Sequence, residues 1–128
     1  MLDTNLYDDE IYISGDYNRL TQVFINLLKN SVEAMEEKDG GRLSITTLLK
    51  DHLVEIQIHD NGMGIEPDVL KKISEPFFTT KLRGTGLGVS LSYEIIAAHE
   101  GTIHYESKIG KGTTVTILLP LLEEQEVH

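Results

Sequence analysis

Val54-Glu55-Ile56-Gln57-Ile58-His59-Asp60-Asn61-Gly62-Met63-Gly64 changes its backbone pattern part-way along. Val54, Ile56 and Ile58 alternate with polar residues, the period of a strand with one buried face. Asp60-Asn61-Gly62-Met63-Gly64 then breaks the alternation with two glycines, which predicts a turn. Pro67 follows at a position suited to the start of a helix, predicting a short helix to about Ile73.

Upstream, Leu43, Ile45 and Thr47 form a second alternating run, and Lys50-Asp51-His52 suits the hairpin loop between the two strands. Leu20, Val23, Phe24, Leu27, Leu28, Ala34 and Met35 recur at helical spacing. They predict an amphipathic helix from about Tyr17 to Glu37, with Asp16 as N-cap and Asp39-Gly40-Gly41 beyond its end. Ile11-Tyr12-Ile13 reads as a short strand before it. Downstream, residues 74 to 86 show no period and hold Pro76, Gly84 and Gly86, which predicts a long loop. Leu87 to His99 reads as a second long helix, with Gly101 just past its end. Two strands, about Thr102–Glu106 and Thr113–Leu119, are joined by a turn at Gly110-Lys111-Gly112. The order predicts an α+β fold, an α/β sandwich with helices covering one face of a mixed sheet. The polar residues 121–128 read as a frayed end.

Composition narrows the function classes. The chain has 128 residues, enough for one domain. Its formal net charge of −10 lacks the basic footprint of a nucleic-acid binder. With no cysteine, disulfides, thiolate metal sites and cysteine nucleophiles are excluded. No apolar run approaches the ~20 residues of a membrane span, and Met1-Leu2-Asp3-Thr4 lacks a signal-peptide pattern. These features lead us to expect a cytoplasmic domain, of either a soluble or a membrane-bound protein.

Four clusters carry candidate chemistry. Asn26 and Asn30 lie four apart on one helix face. Asparagine is a poor mid-helix residue. The pair fits either an exposed polar face or amide oxygens aimed at Mg²⁺, which takes few protein ligands when phosphates supply the rest. Asp60, Gly62 and Gly64 fit either an ordinary turn or a base pocket, in which Asp60 accepts from an exocyclic amine and the glycines admit a flat ring. Gly84-Thr85-Gly86-Leu87-Gly88 opens the second helix and fits either a flexible connection or a phosphate cradle of backbone N–H groups. Its spacing matches neither the dinucleotide fingerprint nor the P-loop. Lys81 and Arg83 precede it with no acid between Phe77 and Gly86. They are either solvated cations or the positive patch that an anionic ligand needs in an acidic chain. Phe77 and Phe78 would anchor this loop, making it a hinged lid. The histidines His52, His59, His99, His104 and His128 form no metal spacing.

In order, Asn26–Asn30, Asp60–Gly64, Phe77–Lys81, Gly84–Gly88 and Gly110-Lys111-Gly112-Thr113 resemble the motif boxes of the ATP-binding catalytic domain of bacterial sensor histidine kinases. The resemblance spans about residues 10–120, and Glu75–Lys81 looks most like the sporulation kinases of endospore-forming bacteria. It implies the Bergerat fold: a mixed, mostly antiparallel sheet covered on one face by about three helices, with an ATP lid. It implies ATP and Mg²⁺ as ligands, with Asn30 on the metal and Asp60 on the adenine amine. Gly62 and Gly64 would shape the base pocket, and Thr113 would support Asp60. Lys81 and Arg83 would hold phosphates, Gly84, Thr85, Gly86, Leu87 and Gly88 would line them, and Glu33 would also lie in the nucleotide site.

Asn26 stands where ATP-hydrolysing relatives carry a glutamate base. An amide cannot take a proton, and a general base is worth ~10²–10⁴ in rate, so phosphotransfer is favoured over hydrolysis. Asn26 and Lys81 are thus the expected catalytic residues. Glu33 and Thr79 depart from the pattern, since many sensor kinases carry a lysine and an arginine there. Nothing before Ile11 is long enough for the helical hairpin that bears the phosphoacceptor histidine. We therefore expect residues 1–128 to be one ATP-binding domain, monomeric alone. Its expected partners are a phosphoacceptor dimerisation domain of the same homodimeric kinase and a downstream response regulator. An ATPase or serine kinase of the same fold, and a non-catalytic nucleotide-sensing module, are the competing readings.

Overall fold

The computed structural model describes residues 2–6, 13, 15–73 and 86–121. Among these residues five strands, β1 (Leu2–Asn5), β2 (Leu43–Lys50), β3 (Leu53–Asp60), β4 (Thr102–Lys108) and β5 (Gly112–Pro120), form one sheet in the order β1-β2-β3-β5-β4. β1 runs parallel to β2, and every other pair is antiparallel. Among the described residues three helices accompany the sheet: α1 (Tyr17–Ala34), α2 (Pro67–Ile73) and α3 (Gly86–Ala98). This is the α+β sandwich that the element order predicts.

The core follows from the strand period. Val54 pairs with Leu119, Ile56 with Ile117, and Ile58 with Val115 across β3–β5. Ile103 and Tyr105 of β4 extend the last two of these rows. Side chains directly opposite one another share a face, so these rows form one apolar surface. Leu20, Val23 and Leu27 of α1 and Ile95 and Ile96 of α3 are buried in the same cluster. Burying each such side chain contributes about 1.5–3 kcal/mol. α1 and α3 also touch each other. His99, just past α3, accepts the Asp16 N–H at Nε2 (3.0 Å) and lies 2.7 Å from the Ile95 carbonyl through Nδ1, tying the end of α3 to the start of α1.

Asp16 caps α1 as expected, its carboxylate accepting the Arg19 N–H at 3.1 Å. The helix stops at Ala34 rather than Glu37. There the Met35 N–H turns back to the Val32 carbonyl, and the Ala34 carbonyl is taken by the Met63 N–H. A partner from the glycine turn thus replaces the next helical bond. The strands run longer than their apolar alternation, because backbone pairing continues to Lys50 and Leu53 and leaves only Asp51-His52 as the turn. Asp51 takes a φ of 58° there.

Of the expected strand Ile11–Ile13, only Ile13 falls among the described residues; it packs against the core outside any strand. The first described strand is instead Leu2–Asn5, whose register sets Leu2 against Leu43. Its sequence has no apolar alternation, so only pairing with β2 reveals it. α3 begins one residue earlier than expected, at Gly86. Its end also differs, since the left-handed position is Glu100 (φ 62°) and not Gly101. Gly101 donates to the Ile96 carbonyl, and a Cβ there would meet the Leu118 carbonyl. Close packing explains that glycine.

Candidate functional site

At one end of the sheet the core rows turn polar. The row after Ile58–Val115–Tyr105 is Asp60–Thr113–Ser107, one residue from each of three neighbouring strands. Asp60 is 2% exposed and Thr113 7%. Ser31, buried on α1 one turn after Leu27, hydrogen-bonds to Asp60 from above. The Gly62 N–H donates to Asp60 Oδ1 at 2.9 Å, and the Thr113 backbone supplies a further bond. A carboxylate has about four acceptor sites. Three protein donors leave room for one from outside.

Burial raises the Asp60 pKa above its ordinary value of 3.8, against the opposing pull of those hydrogen bonds and of His59. The hydrogen-bond donors to this carboxylate, the Gly62 N–H, Ser31 and the Thr113 backbone, are neutral dipoles, with a coulombic pull from His59 besides. The remaining acceptor position can take an N–H from a neutral amine.

The turn after Asp60 is stitched to five neighbouring residues. The Asn61 side chain accepts the Arg42 N–H at 2.8 Å and donates to the Gly40 carbonyl at 3.2 Å. The Met63 N–H donates to Ala34, and the Met63 carbonyl accepts from Gly110 at 2.9 Å. The Ile65 N–H donates to Ser107 Oγ at 2.8 Å. Gly64 has a φ of 79°, and a Cβ there would run into the Lys108 carbonyl. Glycine is needed at this position on both counts.

Asn26, Asn30 and Glu33 lie on α1, all half-buried. Asn30 directly precedes Ser31, the partner of Asp60, so the asparagine stretch and the glycine turn are neighbours. Gly86, Leu87 and Gly88 form the first turn of α3. Lys81, Arg83, Gly84 and Thr85, together with Phe77 and Phe78, lie outside the described residues. A cavity of ≈ 390 Å³ opens at the C-terminal end of α1, lined by Glu33, Ala34, Gly62, Met63 and Gly110 among others. Glu36 and Glu37 share its wall with Lys38, and this acidic rim disfavours phosphate. Among the described residues no cluster of three histidine or acidic side chains can hold a metal. No helix among them is long and apolar enough to cross a membrane.

Ser31, Asn61 and Ser107 escape the reading of the sequence. Ser31 leaves one trace, a hydroxyl on an otherwise apolar helix stripe. Ser107 ends the Ile103-Tyr105 alternation in the same way. Asn61 leaves none, because its partners are backbone groups nineteen and more residues away.

The sheet order, the buried carboxylate and the glycine turn define a nucleotide-binding class that comparison with known proteins makes specific. Residues 15–123 match the family model described as histidine kinase-, DNA gyrase B- and HSP90-like ATPase, and the chain belongs to that family. It is 48% identical over 117 residues to sporulation kinase A of Bacillus subtilis, covering 91% of this chain and 19% of that protein. Sporulation kinase E of the same organism is also 48% identical, over 95% of this chain and 16% of its own length. AtoS, a signal transduction histidine-protein kinase of Escherichia coli, is 46% identical over 85% of this chain. The chain therefore spans about a fifth of these relatives. Among solved structures, the catalytic domain of the histidine kinase ThkA superposes with a TM-score of 0.78 at 32% identity, covering 97% of this chain and 82% of that one.

Proposed function

We propose that this domain binds Mg-ATP and donates the γ-phosphate to a histidine on a separate dimerisation domain of the same kinase. The observation that carries the reading is the buried Asp60, which holds three neutral donors and keeps capacity for one more. An adenine amine meets that need. Asn30 fits Mg²⁺ as a neutral ligand, since the phosphates bring the charge and Mg²⁺ takes few protein groups when bound to them. Gly62 and Gly64 bring the turn close to the base. The first turn of α3, with Gly86, Leu87 and Gly88, offers N–H groups to phosphate. Lys81, Arg83, Gly84 and Thr85, through their resemblance to the family's lid, would add further phosphate contacts. The acidic rim at Glu36 and Glu37 directs the phosphates away from the C-terminal end of α1. Asn26 orients without removing a proton from water, which favours transfer to a histidine. The likeness to sporulation kinases supports a role in sporulation signalling through a response regulator, from a cytoplasmic domain that is monomeric alone and part of a homodimer in the intact kinase.

Titration calorimetry with a non-hydrolysable ATP analogue, with and without Mg²⁺ and against a GTP analogue, tests the pocket. We expect adenine-selective binding strengthened by Mg²⁺. In Asn30→Ala the Mg²⁺ enhancement falls about tenfold while Mg²⁺-free affinity holds, the loss of one charge-assisted contact. Equal affinity in wild type with either base would sink the reading. Acid-labile phosphate on a supplied kinase histidine domain tests the transfer.

The Asp60 shift gives a pH signature. Between 3.8 and its raised folded pKa, the folded chain holds a proton that the unfolded chain has lost. This group's contribution to stability is therefore full below 3.8 and disappears as the pH rises through the folded value. Nucleotide binding runs the other way, because a protonated carboxyl accepts poorly. Subtracting the profiles of Asp60→Asn from wild type should show stability rising and ATP-analogue affinity falling as the pH drops through that window. Parallel profiles would show that Asp60 is not the titrating acceptor.

A further inference from the structure

Ser107 has no assigned role, yet it closes the polar row beside Thr113. Its Oγ lies 2.8 Å from the Ile65 nitrogen, 2.9 Å from the Gly112 carbonyl and 2.8 Å from Thr113 Oγ1. A serine hydroxyl has one hydrogen and two lone pairs. The Ile65 N–H can only donate, and the Gly112 carbonyl can only accept. Ser107 therefore gives its hydrogen to Gly112 and one lone pair to Ile65. The remaining lone pair must take the hydrogen of Thr113.

That count fixes Thr113. With its hydrogen committed to Ser107, its oxygen can only accept from any further group. In the neighbouring register position stands Asp60, which when ionised also only accepts. Two acceptors in adjacent positions match the two hydrogens of the adenine amine, directly or through one water. Guanine presents a carbonyl oxygen at the equivalent position, and two acceptors repel it.

We propose that Ser107 is a positioning residue that holds the Thr113 hydroxyl as an acceptor beside Asp60 and thereby sharpens selection of adenine over guanine. The inference rests on the nucleotide-binding role proposed above. In Ser107→Ala, Thr113 regains a free hydrogen and can donate to a guanine carbonyl.

The test measures affinities of ATP and GTP analogues by calorimetry for wild type, Ser107→Ala, Thr113→Val and the double variant. Circular dichroism confirms that each is folded at the assay temperature. The readout is the ratio of the two affinities, which a merely structural loss would leave unchanged. We expect the adenine preference to fall about 5–10-fold in each single variant, as for one hydrogen bond gained or lost. The double variant should lose no more than the larger single loss, because Ser107 acts through Thr113. Ser107→Thr, which keeps the hydroxyl, should restore the preference. If Ser107→Ala fails to fold, Ser107→Cys keeps the volume with a weakly bonding thiol and carries the same comparison. A wild-type preference that survives Ser107→Ala, or single losses that multiply in the double variant, would overturn the inference. A wild type without adenine preference would instead remove the nucleotide reading itself, and this inference with it.

Discussion

Asp60→Asn is expected to weaken binding of an ATP analogue about 100-fold and of a GTP analogue less than threefold, since a buried charge-assisted hydrogen bond and a donor–donor clash are both at stake. The substitution preserves shape, so its effect isolates hydrogen-bond polarity. In the native site the Gly62 N–H, Ser31 and the Thr113 backbone all point at the carboxylate. An amide has one oxygen and an NH₂ group. If the oxygen keeps Gly62, the NH₂ faces the incoming amine and two donors oppose each other. If the amide flips, the NH₂ faces the Gly62 N–H. The flipped amide would turn its oxygen to the amine but oppose a buried donor to a donor at Gly62, so the first orientation is preferred. In that orientation the adenine amine loses its acceptor and a base that presents a carbonyl gains a donor. Parallel calorimetric titrations decide it. Equal losses for the two nucleotides would assign Asp60 a structural role only.

The second large effect is on folding. Gly112→Ala should lower stability by about 3 kcal/mol and the melting temperature by about 10 °C, from a strained backbone together with overpacking. Gly112 has a φ of 123°, and a Cβ there would collide with the Asp60 carbonyl across the β3–β5 pair. The colliding atom is backbone, held in the ladder by its pairing with Thr113, and cannot step aside. Gly40→Ala supplies the control. It also has a positive φ (74°), but a Cβ there meets nothing within 4 Å, so it should cost only about 1 kcal/mol. Melting curves followed by circular dichroism compare the two. Similar losses would mean that the close approach at Gly112 carries no weight of its own.

The two predictions meet at one place. Gly112 lets β5 start hard against the end of β3, which sets Thr113 opposite Asp60 and Ser107 opposite Thr113. Strain at Gly112 would disturb the polar row before it disturbed the apolar rows behind it. Residual binding by Gly112→Ala should therefore be less base-selective than its fold content suggests.

Local sequence determined a good deal of this protein. The helical spacing of Leu20, Val23 and Leu27, the alternation of Val54, Ile56 and Ile58, and Pro67 each dictate their element through short-range geometry, and all three elements form. Asp60, Gly62 and Gly64 announced a special turn because an acid and two glycines at a strand end break the local pattern. Tertiary structure decided the rest. β1 is a strand only because β2 offers it a paired edge. α1 ends where Met63 takes the Ala34 carbonyl. Above all, the residues beside Asp60 come from places 29 and 53 positions away in α1 and β5, and Ser107 from β4 beyond. Ser31 and Ser107 are unremarkable hydroxyls in sequence. Strand register and helix docking make them neighbours, because hydrogen-bond partnership depends on distance in space and leaves no periodicity along the chain.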